Sequence, residues 1–327
     1  MKNTQKGSGG PSFIAAMDVG GTKTVGFVAD AEGRIIASAR DRGITPVDAP
    51  ASECVALYTG FLRRLFDSAG VTADVTYCSI AAIEHYTPGF QNRIAEAVGD
   101  RAGILRAEPD GLCLISGMLG HADGASMVCG TGSSLYVRTG EDYFRVGGWG
   151  HLIDSCGSGF VLGRLAIRAV LREYDGRGEK TLLTPLCEER CGRPVPDDYD
   201  RIYSLGRPYV ASYAGCVFEA RRRGDAVASK IFDDCTSDMA ELIATALRRT
   251  GRKGSELPIV MNGGIFTHYP EYPEAILALA PAGVRAAVGT VPPVYGCAVE
   301  AMYSLGLECS DLFKNSLLEG IAAAGLA

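Results

Sequence analysis

Long apolar runs and an excess of basic charge are both missing from this chain of 327 residues. No run approaches the roughly 20 apolar residues that a helix needs to cross a bilayer, so we expect no membrane partner. The formal net charge of −6 argues against binding nucleic acid through its phosphates. Residues 1–12 are polar and lack the apolar segment of a signal peptide. The sequence thus predicts a disordered leader at residues 1–12 and a cytoplasmic protein.

Patterns that hold a metal through cysteine or histidine are also scarce. The four histidines show no ligand spacing, and the 11 cysteines are scattered, mostly in apolar stretches where a free thiol behaves as a small hydrophobe. Cys187 and Cys191 are close enough in sequence to share a helical face, but two sulfurs without a second pair make a poor metal site. The pattern favours structural thiols over a cysteine-held metal or iron–sulfur cluster.

Length and composition indicate a globular protein of two domains. Hydrophobic residues make up 47% of the chain and charged residues 21%, which is typical of globular proteins. A chain of this length can form two domains, each with a substantial core. We expect a first domain at residues 13–121 and a second at residues 122–293. We expect the final segment, from about residue 294 to 327, to pack back on the first domain.

A first glycine-rich turn joins two apolar runs near the start of the chain. Gly20 and Gly21 let the backbone approach a ligand closely, and successive N–H groups in such a turn form an anion-binding concavity. Thr22 and Lys23 add a hydroxyl and a positive charge, and Asp18 is placed to hold a Mg²⁺ ion through water. The pattern predicts a phosphate-binding hairpin; an ordinary tight β-hairpin is the alternative.

The same pattern occurs a second time. Residues 125–146, like residues 13–39, read as a three-stranded meander with a glycine- and threonine-rich first turn. In the second meander this turn holds Gly130, Thr131, Gly132 and Ser133. An internal repeat of this kind predicts two similar domains facing each other across a cleft, each offering one phosphate loop.

Strands and helices follow each meander. Hydrophobic spacing predicts strands at residues 75–82, 104–107 and 258–261, and helices around residues 54–66, 91–98, 111–119, 272–279 and 294–305. A longer helix has a predicted buried stripe of Ile231, Phe232, Cys235, Met239, Leu242, Ile243 and Leu247. Residues 175–215 read as polar and irregular, with short helices. Antiparallel strands followed by strands reached through helical crossovers predict an α/β fold, with mixed sheets covered by helices.

Four segments resemble motifs of the actin/hexokinase/Hsp70 ATPase superfamily. Within it they are similar to the branch containing N-acetylglucosamine and glucosamine kinases and the BadF/BadG/BcrA/BcrD ATPases. The segments are 18–23 (Asp-Val-Gly-Gly-Thr-Lys), 130–133 (Gly-Thr-Gly-Ser), 147–151 (Gly-Gly-Trp-Gly-His) with 157–159 (Gly-Ser-Gly), and 260–264 (Val-Met-Asn-Gly-Gly). The resemblance implies two RNase H-like (actin-like ATPase) domains, each a mixed five-stranded sheet with helices, around a central cleft.

The resemblance also implies roles for the residues that match. The nucleotide phosphates would contact Gly20, Gly21, Thr22, Lys23, Gly130, Thr131, Gly132 and Ser133, and the adenosine would contact Gly263 and Gly264. Asp18 would position the metal. Asp110, just after the last strand of the first domain, would take the proton of the acceptor hydroxyl. A plain N-cap aspartate is the alternative for Asp110.

The expected acceptor pocket departs from the family pattern. The acidic residue before Gly-Ser-Gly is displaced by one position, to Asp154. The loop after the fourth strand reads Ala81-Ala82-Ile83-Glu84 where the family usually has Ala-Gly, and a loop that often supplies a sugar-binding asparagine offers Thr45. The substrate-binding candidates are Thr45, Ser134, Gly148, Trp149, Gly150 and Asp154. The ring of Trp149 suits a sugar face, with a buried anchor of the second domain as the alternative.

The sequence therefore predicts an ATP- and Mg²⁺-dependent kinase that phosphorylates a sugar hydroxyl, with an amino sugar or N-acetylhexosamine as acceptor. Two other functions stay open. One is a BadF/BadG-type ATPase that activates a partner enzyme, and the other is a catalytically silent sugar or nucleotide sensor. A small-molecule sugar is the expected partner, and the chain is compatible with a homodimer.

Overall fold

The computed structural model describes residues 12–47, 49–83 and 89–327. All but the last residue of the predicted leader lies outside these residues, as does Glu84 of the loop after the fourth strand. Contacts within the chain divide it into two compact units. The first unit contains residues up to 122 together with residues 290–327, and the second contains residues 123–289.

Each unit begins with three consecutive strands, and helices separate the strands that follow. The strands are β1 (Phe13–Val19), β2 (Lys23–Asp30), β3 (Ile35–Arg42), β4 (Val75–Ile80), β5 (Ile104–Pro109), β6 (Gly124–Cys129), β7 (Ser133–Thr139), β8 (Asp142–Val146), β9 (Ile259–Asn262) and β10 (Ala286–Val288). The helices are α1 (Ala51–Ala69), α2 (Phe90–Val98), α3 (Asp110–Leu119), α4 (Gly159–Tyr174), α5 (Leu183–Cys191), α6 (Tyr199–Ala211), α7 (Ala214–Arg222), α8 (Ala226–Thr250), α9 (Gly264–His268), α10 (Glu271–Leu279), α11 (Pro293–Ser304) and α12 (Asp311–Ala323).

The two sheets have the same strand order. In the first unit the order is β3-β2-β1-β4-β5, and in the second unit it is β8-β7-β6-β9-β10. The three strands of each meander pair antiparallel, and the remaining two strands continue the sheet in parallel. Parallel neighbours need a crossover, which helices supply. The predicted class of two mixed five-stranded sheets with helices is therefore confirmed.

Each sheet buries its apolar face under helices. In the first unit, α1 contributes Tyr58, Phe61, Leu62, Leu65 and Phe66 to the core. In the second unit, all seven residues of the stripe predicted for α8 are buried, which confirms that stripe. Helix α11 packs against β1, β4 and α3, which places it in the first unit. Among the described residues no helix is both long enough and apolar enough to cross a membrane.

The structure differs from the predicted elements at several places. Strand β4 ends at Ile80, so residues 81 and 82 form a turn rather than the end of the strand. Residues 175–215 contain the expected short helices, as α5, α6 and the start of α7, but are more regular than predicted. These helices pack on α4, and this burial stabilises a segment whose local sequence is polar.

Strand β10, helix α9 and helix α12 were not predicted from the sequence as separate elements. Strand β10 has only three residues and lies at the edge of its sheet, too short to show an alternating pattern. Helix α12 buries Phe313, Leu317 and Ile321, which are spaced four residues apart on one face. Its N-cap, Ser310, accepts a hydrogen bond from the Phe313 N–H at 3.1 Å. This cap and spacing are readable in the sequence and could have predicted α12.

Candidate functional site

The β1–β2 turn of the first unit is closed by its own backbone and by a glycine from outside it. The Gly20 N–H donates to the Lys23 carbonyl at 3.0 Å, and the Gly43 N–H donates to the Thr22 carbonyl at 3.0 Å. A Cβ atom on Gly43 would lie 2.2 Å from the Gly20 carbonyl oxygen, so no side chain fits there. Gly21 and Thr22 are exposed, as a ligand-binding turn requires. The Lys23 ammonium donates to the backbone carbonyl of Ala327 at 2.7 Å.

Asp18 stands at the end of β1, beside this turn, in a half-buried position. It pairs in register with Ser79 of β4, and the Ser79 hydroxyl donates to Asp18 Oδ1 at 2.9 Å. Burial raises the pKa of the Asp18 carboxyl to about 6, although the Ser79 hydrogen bond and the Lys23 charge act against the rise. A cation bound at this carboxylate would offset the cost of burying its charge. A single hard oxygen ligand beside an exposed phosphate-type turn therefore fits a hydrated Mg²⁺ ion.

Asp110 is the first residue of α3 and follows directly after β5. The N-cap position of α3 falls on Pro109, whose side chain makes no capping hydrogen bond. Asp110 thus lies in the first turn of α3, and the choice between a catalytic base and a capping aspartate stays a prediction. A carboxylate in the first turn of a helix lies at the positive end of the helix dipole. Asp110 is only partly buried, and its carboxylate oxygens can accept a hydrogen bond.

Thr45 is the one substrate-binding candidate in the first unit, and it is buried, with 5% of its surface exposed. Its carbonyl accepts a hydrogen bond from the Ala49 N–H at 3.2 Å. The preceding residue, Ile44, accepts a hydrogen bond from the Tyr58 hydroxyl at 2.7 Å. This loop is held against α1 by its backbone, so Thr45 is positioned by the fold rather than exposed to solvent.

The β6–β7 turn of the second unit is closed in a similar way. The Gly130 N–H donates to the Gly132 carbonyl at 2.8 Å, and Thr131 and Gly132 are exposed. The first N–H groups of α4 donate to the turn: Gly159 to Gly130 at 2.9 Å and Phe160 to Thr131 at 3.1 Å. Ser133 at the end of the turn donates a hydrogen bond to the Cys156 carbonyl. The turn and the start of α4 thus form one hydrogen-bonded structure.

The Gly263–Gly264 segment lies against this second turn. Gly263 has a φ of +112°, and a Cβ atom on it would lie 2.3 Å from the carbonyl oxygen of Cys129, the residue before Gly130. Strands β6 and β9 are parallel neighbours, with Val128 opposite Asn262, so the carboxyl ends of both strands lie at the same edge of the sheet. Gly264 begins α9. Within the second unit the structure therefore brings together the residues predicted to bind phosphate and adenosine.

Residues 147–154 form a loop beside the same turn. Gly148 has a φ of +74°, and a Cβ atom on it would lie 2.6 Å from Ser134 Cβ and 2.9 Å from the Ser133 carbonyl. Gly148 follows β8 as Gly43 follows β3, so in each unit a glycine after the third strand packs against the turn between the first two. This shared feature was not visible in the sequence motifs.

Trp149 is 58% exposed, so the alternative of a buried anchor is wrong. The Arg145 guanidinium lies 4.5 Å from the centre of its ring. Gly150 has a φ of +99°, and its carbonyl accepts hydrogen bonds from Ile153 at 3.1 Å and Asp154 at 2.8 Å. This tight turn leaves an aromatic ring and two aliphatic side chains, those of Leu152 and Ile153, exposed in one loop.

Asp154 accepts a hydrogen bond from the Cys156 thiol, with 3.0 Å between Sγ and Oδ1. Burial and this hydrogen bond raise the pKa of the Cys156 thiol to about 12. Burial, followed by the charges of Asp234, Glu241 and Asp154, raises the pKa of Asp238 on α8. Asp238 therefore belongs to the surroundings of Asp154, although sequence analysis missed it. Its position on the amphipathic pattern of α8 gave no sign of this neighbour.

Comparisons with known proteins give one family match and two curated relatives. The model of the BadF/BadG/BcrA/BcrD ATPase family matches residues 17–298. The chain is 28% identical over 158 residues to the N-acetylmuramic acid/N-acetylglucosamine kinase of Clostridium acetobutylicum, covering 47% of this chain and 52% of that protein. It is 31% identical over 161 residues to the N-acetyl-D-glucosamine kinase of Dictyostelium discoideum, covering 47% of this chain and 50% of that protein. The matches therefore span about half the length of these curated relatives.

Solved structures share the fold over most of the chain. A candidate N-acetylglucosamine kinase from Chromobacterium violaceum gives a TM-score of 0.68 at 21% identity, covering 88% of this chain and 97% of that chain. A ROK family glucokinase from Streptomyces griseus, solved with glucose and AMPPNP, gives a TM-score of 0.53 at 17% identity. The match covers 90% of this chain and 99% of that chain. Identities this low establish the fold alone.

Proposed function

Because the chain belongs to the BadF/BadG/BcrA/BcrD ATPase family, we propose that it is an ATP-dependent kinase that phosphorylates a hydroxyl of an amino sugar or N-acetylhexosamine. The observation that carries this proposal is the repeated turn. Both sheets have the same strand order, and each presents an exposed glycine- and threonine-containing turn, packed against a glycine that follows the third strand. The curated relatives, which are kinases of N-acetylated amino sugars, support the acceptor class.

In this proposal both turns bind the β- and γ-phosphates of ATP. The first turn contributes Gly20, Gly21, Thr22 and Lys23, and the second contributes Gly130, Thr131, Gly132 and Ser133. Backbone N–H groups in such turns stabilise the negative charge that spreads over the transferred phosphoryl group. Gly263 and Gly264 contact the adenosine, because glycine backbone allows a nucleoside to lie close.

In the proposed enzyme Asp18 would hold the Mg²⁺ ion. The ion would neutralise charge on the phosphate oxygens and orient them. The half-buried carboxylate is oriented by Ser79, whose hydrogen bond fixes one of its oxygens and leaves the other for the hydrated ion. Lys23 adds a second positive charge next to Asp18.

Asp110 is the proposed base that accepts the proton of the acceptor hydroxyl. The acceptor itself is recognised by Thr45, Ser134, Gly148, Trp149, Gly150 and Asp154. The exposed ring of Trp149 supports this assignment, since an aromatic face packs well on the C–H face of a sugar. The buried position of Thr45 favours a supporting role there, through the shape of its loop.

The test is ADP release, coupled to an indicator reaction, with N-acetylglucosamine, N-acetylmuramic acid, glucosamine and glucose. We expect release that depends on both Mg²⁺ and an amino sugar. Asp110→Asn should lower kcat by about 100-fold or more, within the range for general-base catalysis, with little change in the KM for ATP. Asp100→Asn, at an exposed aspartate of the same unit, is the matched control.

A rate no higher than the sugar-free background for every sugar would overturn the proposal. Full activity of Asp110→Asn would assign the base to another residue. Trp149→Ala should raise the KM for the sugar, while Tyr174→Ala, at an exposed tyrosine of the same unit, should not. The homodimer stays a prediction, and the molar mass of the protein in solution tests it.

A further inference from the structure

Three side chains from distant parts of the first unit meet beneath the β1–β2 turn. The Asp18 carboxylate and the thiols of Cys113 and Cys297 each offer one ligand atom, and these atoms lie within 4.8 Å of one another. Both cysteines are fully buried, and Asp18 is half-buried. Two sulfur atoms and one carboxylate oxygen this close together form a ligand set for a thiophilic divalent ion.

Helix packing brings the two thiols together. Helix α11 crosses α3 so closely that a Cβ atom on Gly296 would lie 1.8 Å from the Cys113 carbonyl oxygen. Only glycine permits this approach, which puts the next residue, Cys297, beside Cys113. The Cys297 thiol also lies 3.7 Å from the carbonyl of Met17, the residue before Asp18. The fold therefore fixes all three side chains through backbone contacts.

A fourth oxygen is next to this group. The Ser79 hydroxyl lies 3.2 Å from Cys113 Sγ and 2.9 Å from Asp18 Oδ1. Around a tetrahedral zinc ion, neighbouring ligand atoms lie about 3.3–3.8 Å apart, as follows from Zn–S bonds of about 2.3 Å and Zn–O bonds of about 2.0–2.2 Å. The three observed ligand atoms are at most 4.8 Å apart, so binding an ion would require side-chain shifts of about 1 Å. Ser79 or a water molecule would complete the tetrahedron.

We propose that Asp18, Cys113 and Cys297 form a binding site for a thiophilic divalent cation such as Zn²⁺. The two thiols release their protons to solvent when the ion binds, so that the ion is held by two thiolates and a carboxylate. Mg²⁺ prefers oxygen ligands and gains little from the sulfurs. The two ions share the Asp18 carboxylate and exclude each other. A thiophilic ion therefore inhibits the kinase, a consequence that rests on the proposed function, whereas the binding itself does not.

The binding test is a Co²⁺ titration of the reduced, metal-free protein in the absence of air, with neither ATP nor sugar. Co²⁺ replaces Zn²⁺ and gives a thiolate-to-cobalt charge-transfer band in the near ultraviolet. We expect this band in the wild type, with one ion per chain, and its loss on adding Zn²⁺. Cys113→Ser and Cys297→Ser should lose the band. They should also bind Zn²⁺ more weakly by at least the roughly 10- to 100-fold that even outer-shell changes cost.

Cys54→Ser is the matched control, because Cys54 is an equally buried thiol of the same unit, on α1. It should keep the band and the affinity. Melting curves without metal check that each variant folds, and Cys→Ala variants replace any Ser variant that does not. No charge-transfer band in the wild type at saturating Co²⁺ would overturn the proposal. A band of full intensity in both Cys113→Ser and Cys297→Ser would also overturn it.

The inhibition test uses the kinase assay. Zn²⁺ should lower sugar-dependent ADP release by the wild type and by Cys54→Ser at concentrations that leave Cys297→Ser unaffected. Equal inhibition of all three would overturn the inhibitory consequence. The spectroscopic result does not depend on activity, so failure of the proposed function and failure of the metal site are distinguishable.

Discussion

Ser79 lies opposite Asp18 in the parallel pairing of β4 with β1, and its hydroxyl donates to Asp18 Oδ1 at 2.9 Å. The two residues are 61 positions apart in the chain. This relationship fixes the carboxylate that we assign to Mg²⁺. It also shows that a serine inside a buried strand is part of the candidate site.

We expect Ser79→Ala to weaken the use of Mg²⁺. Losing one hydrogen bond to a charged group costs about 1.5–3 kcal/mol, which corresponds to a roughly 10- to 150-fold increase in the Mg²⁺ concentration that gives the half-maximal rate. The kcat at saturating Mg²⁺ should change little. Thr76→Val is the control, because Thr76 is a buried hydroxyl of the same strand that bonds instead to the Ala102 carbonyl. Equal Mg²⁺ dependence in both variants would contradict this role.

Gly43→Ala should destabilise the first unit by about 1–3 kcal/mol, because its Cβ would lie 2.2 Å from the Gly20 carbonyl oxygen and 2.6 Å from the N atoms of Thr22 and Lys23. Gly21→Ala in the same turn is the control. A Cβ at Gly21 meets nothing within 4 Å, so its effect should stay within about 0.5 kcal/mol. Urea unfolding measures both. Similar losses for the two variants would contradict the predicted packing.

Ala82→Gly should stabilise the protein by about 0.5–1 kcal/mol. Ala82 has a φ of +62°, a left-handed conformation that strains a residue with a Cβ. Ala82 lies in the loop where the family usually has Ala-Gly. Its backbone adopts the left-handed conformation that favours glycine, although the residue is alanine. Ala81→Gly is the control and should destabilise the protein, because glycine raises the conformational entropy of the unfolded chain without relieving strain in the folded state. Thermal unfolding of the two variants should therefore shift in opposite directions.

Asp198→Asn should destabilise the second unit in a pH-dependent way. Asp198 is buried and accepts hydrogen bonds from the hydroxyls of Tyr209 and Tyr213, both at 2.6 Å, while Arg201 lies 3.2 Å away. Burial by itself raises the pKa of Asp198, but the tyrosine hydrogen bonds and the arginine charges outweigh burial and hold it below the ordinary value of 3.8.

Because the folded-state pKa of Asp198 is lowered, its stabilisation is fully present above the unfolded pKa and is lost as the pH falls through the folded pKa. We expect the variant to lose about 1.5–3 kcal/mol at pH 7, as for hydrogen bonds to a charged group. The gap to the wild type should narrow below about pH 4. Asp197→Asn, at the exposed neighbouring aspartate, should show neither effect. A gap that stays constant with pH in urea unfolding would contradict the assignment.

Local periodicity predicted most of the fold. The seven-residue stripe on α8 and the two glycine-rich turns were readable because helix period and turn chemistry are encoded by neighbouring residues. The repeat of the three-stranded meander predicted that the two units contain similar sheets. The three-residue β10 was missed because its pairing with β9, rather than its own pattern, makes it a strand. The regularity of residues 175–215 likewise comes from packing on α4.

By itself the sequence determined the two turns, their spacing in a duplicated α/β fold, and the carboxylates at Asp18 and Asp110. Only the tertiary structure decided which residues surround them. The register of β1 and β4 places Ser79 opposite Asp18. The close crossing of α11 and α3 at Gly296 brings the thiols of Cys113 and Cys297 near the Asp18 carboxylate. Register and crossing depend on packing between segments far apart in the chain, and no local pattern in one sequence specifies such packing.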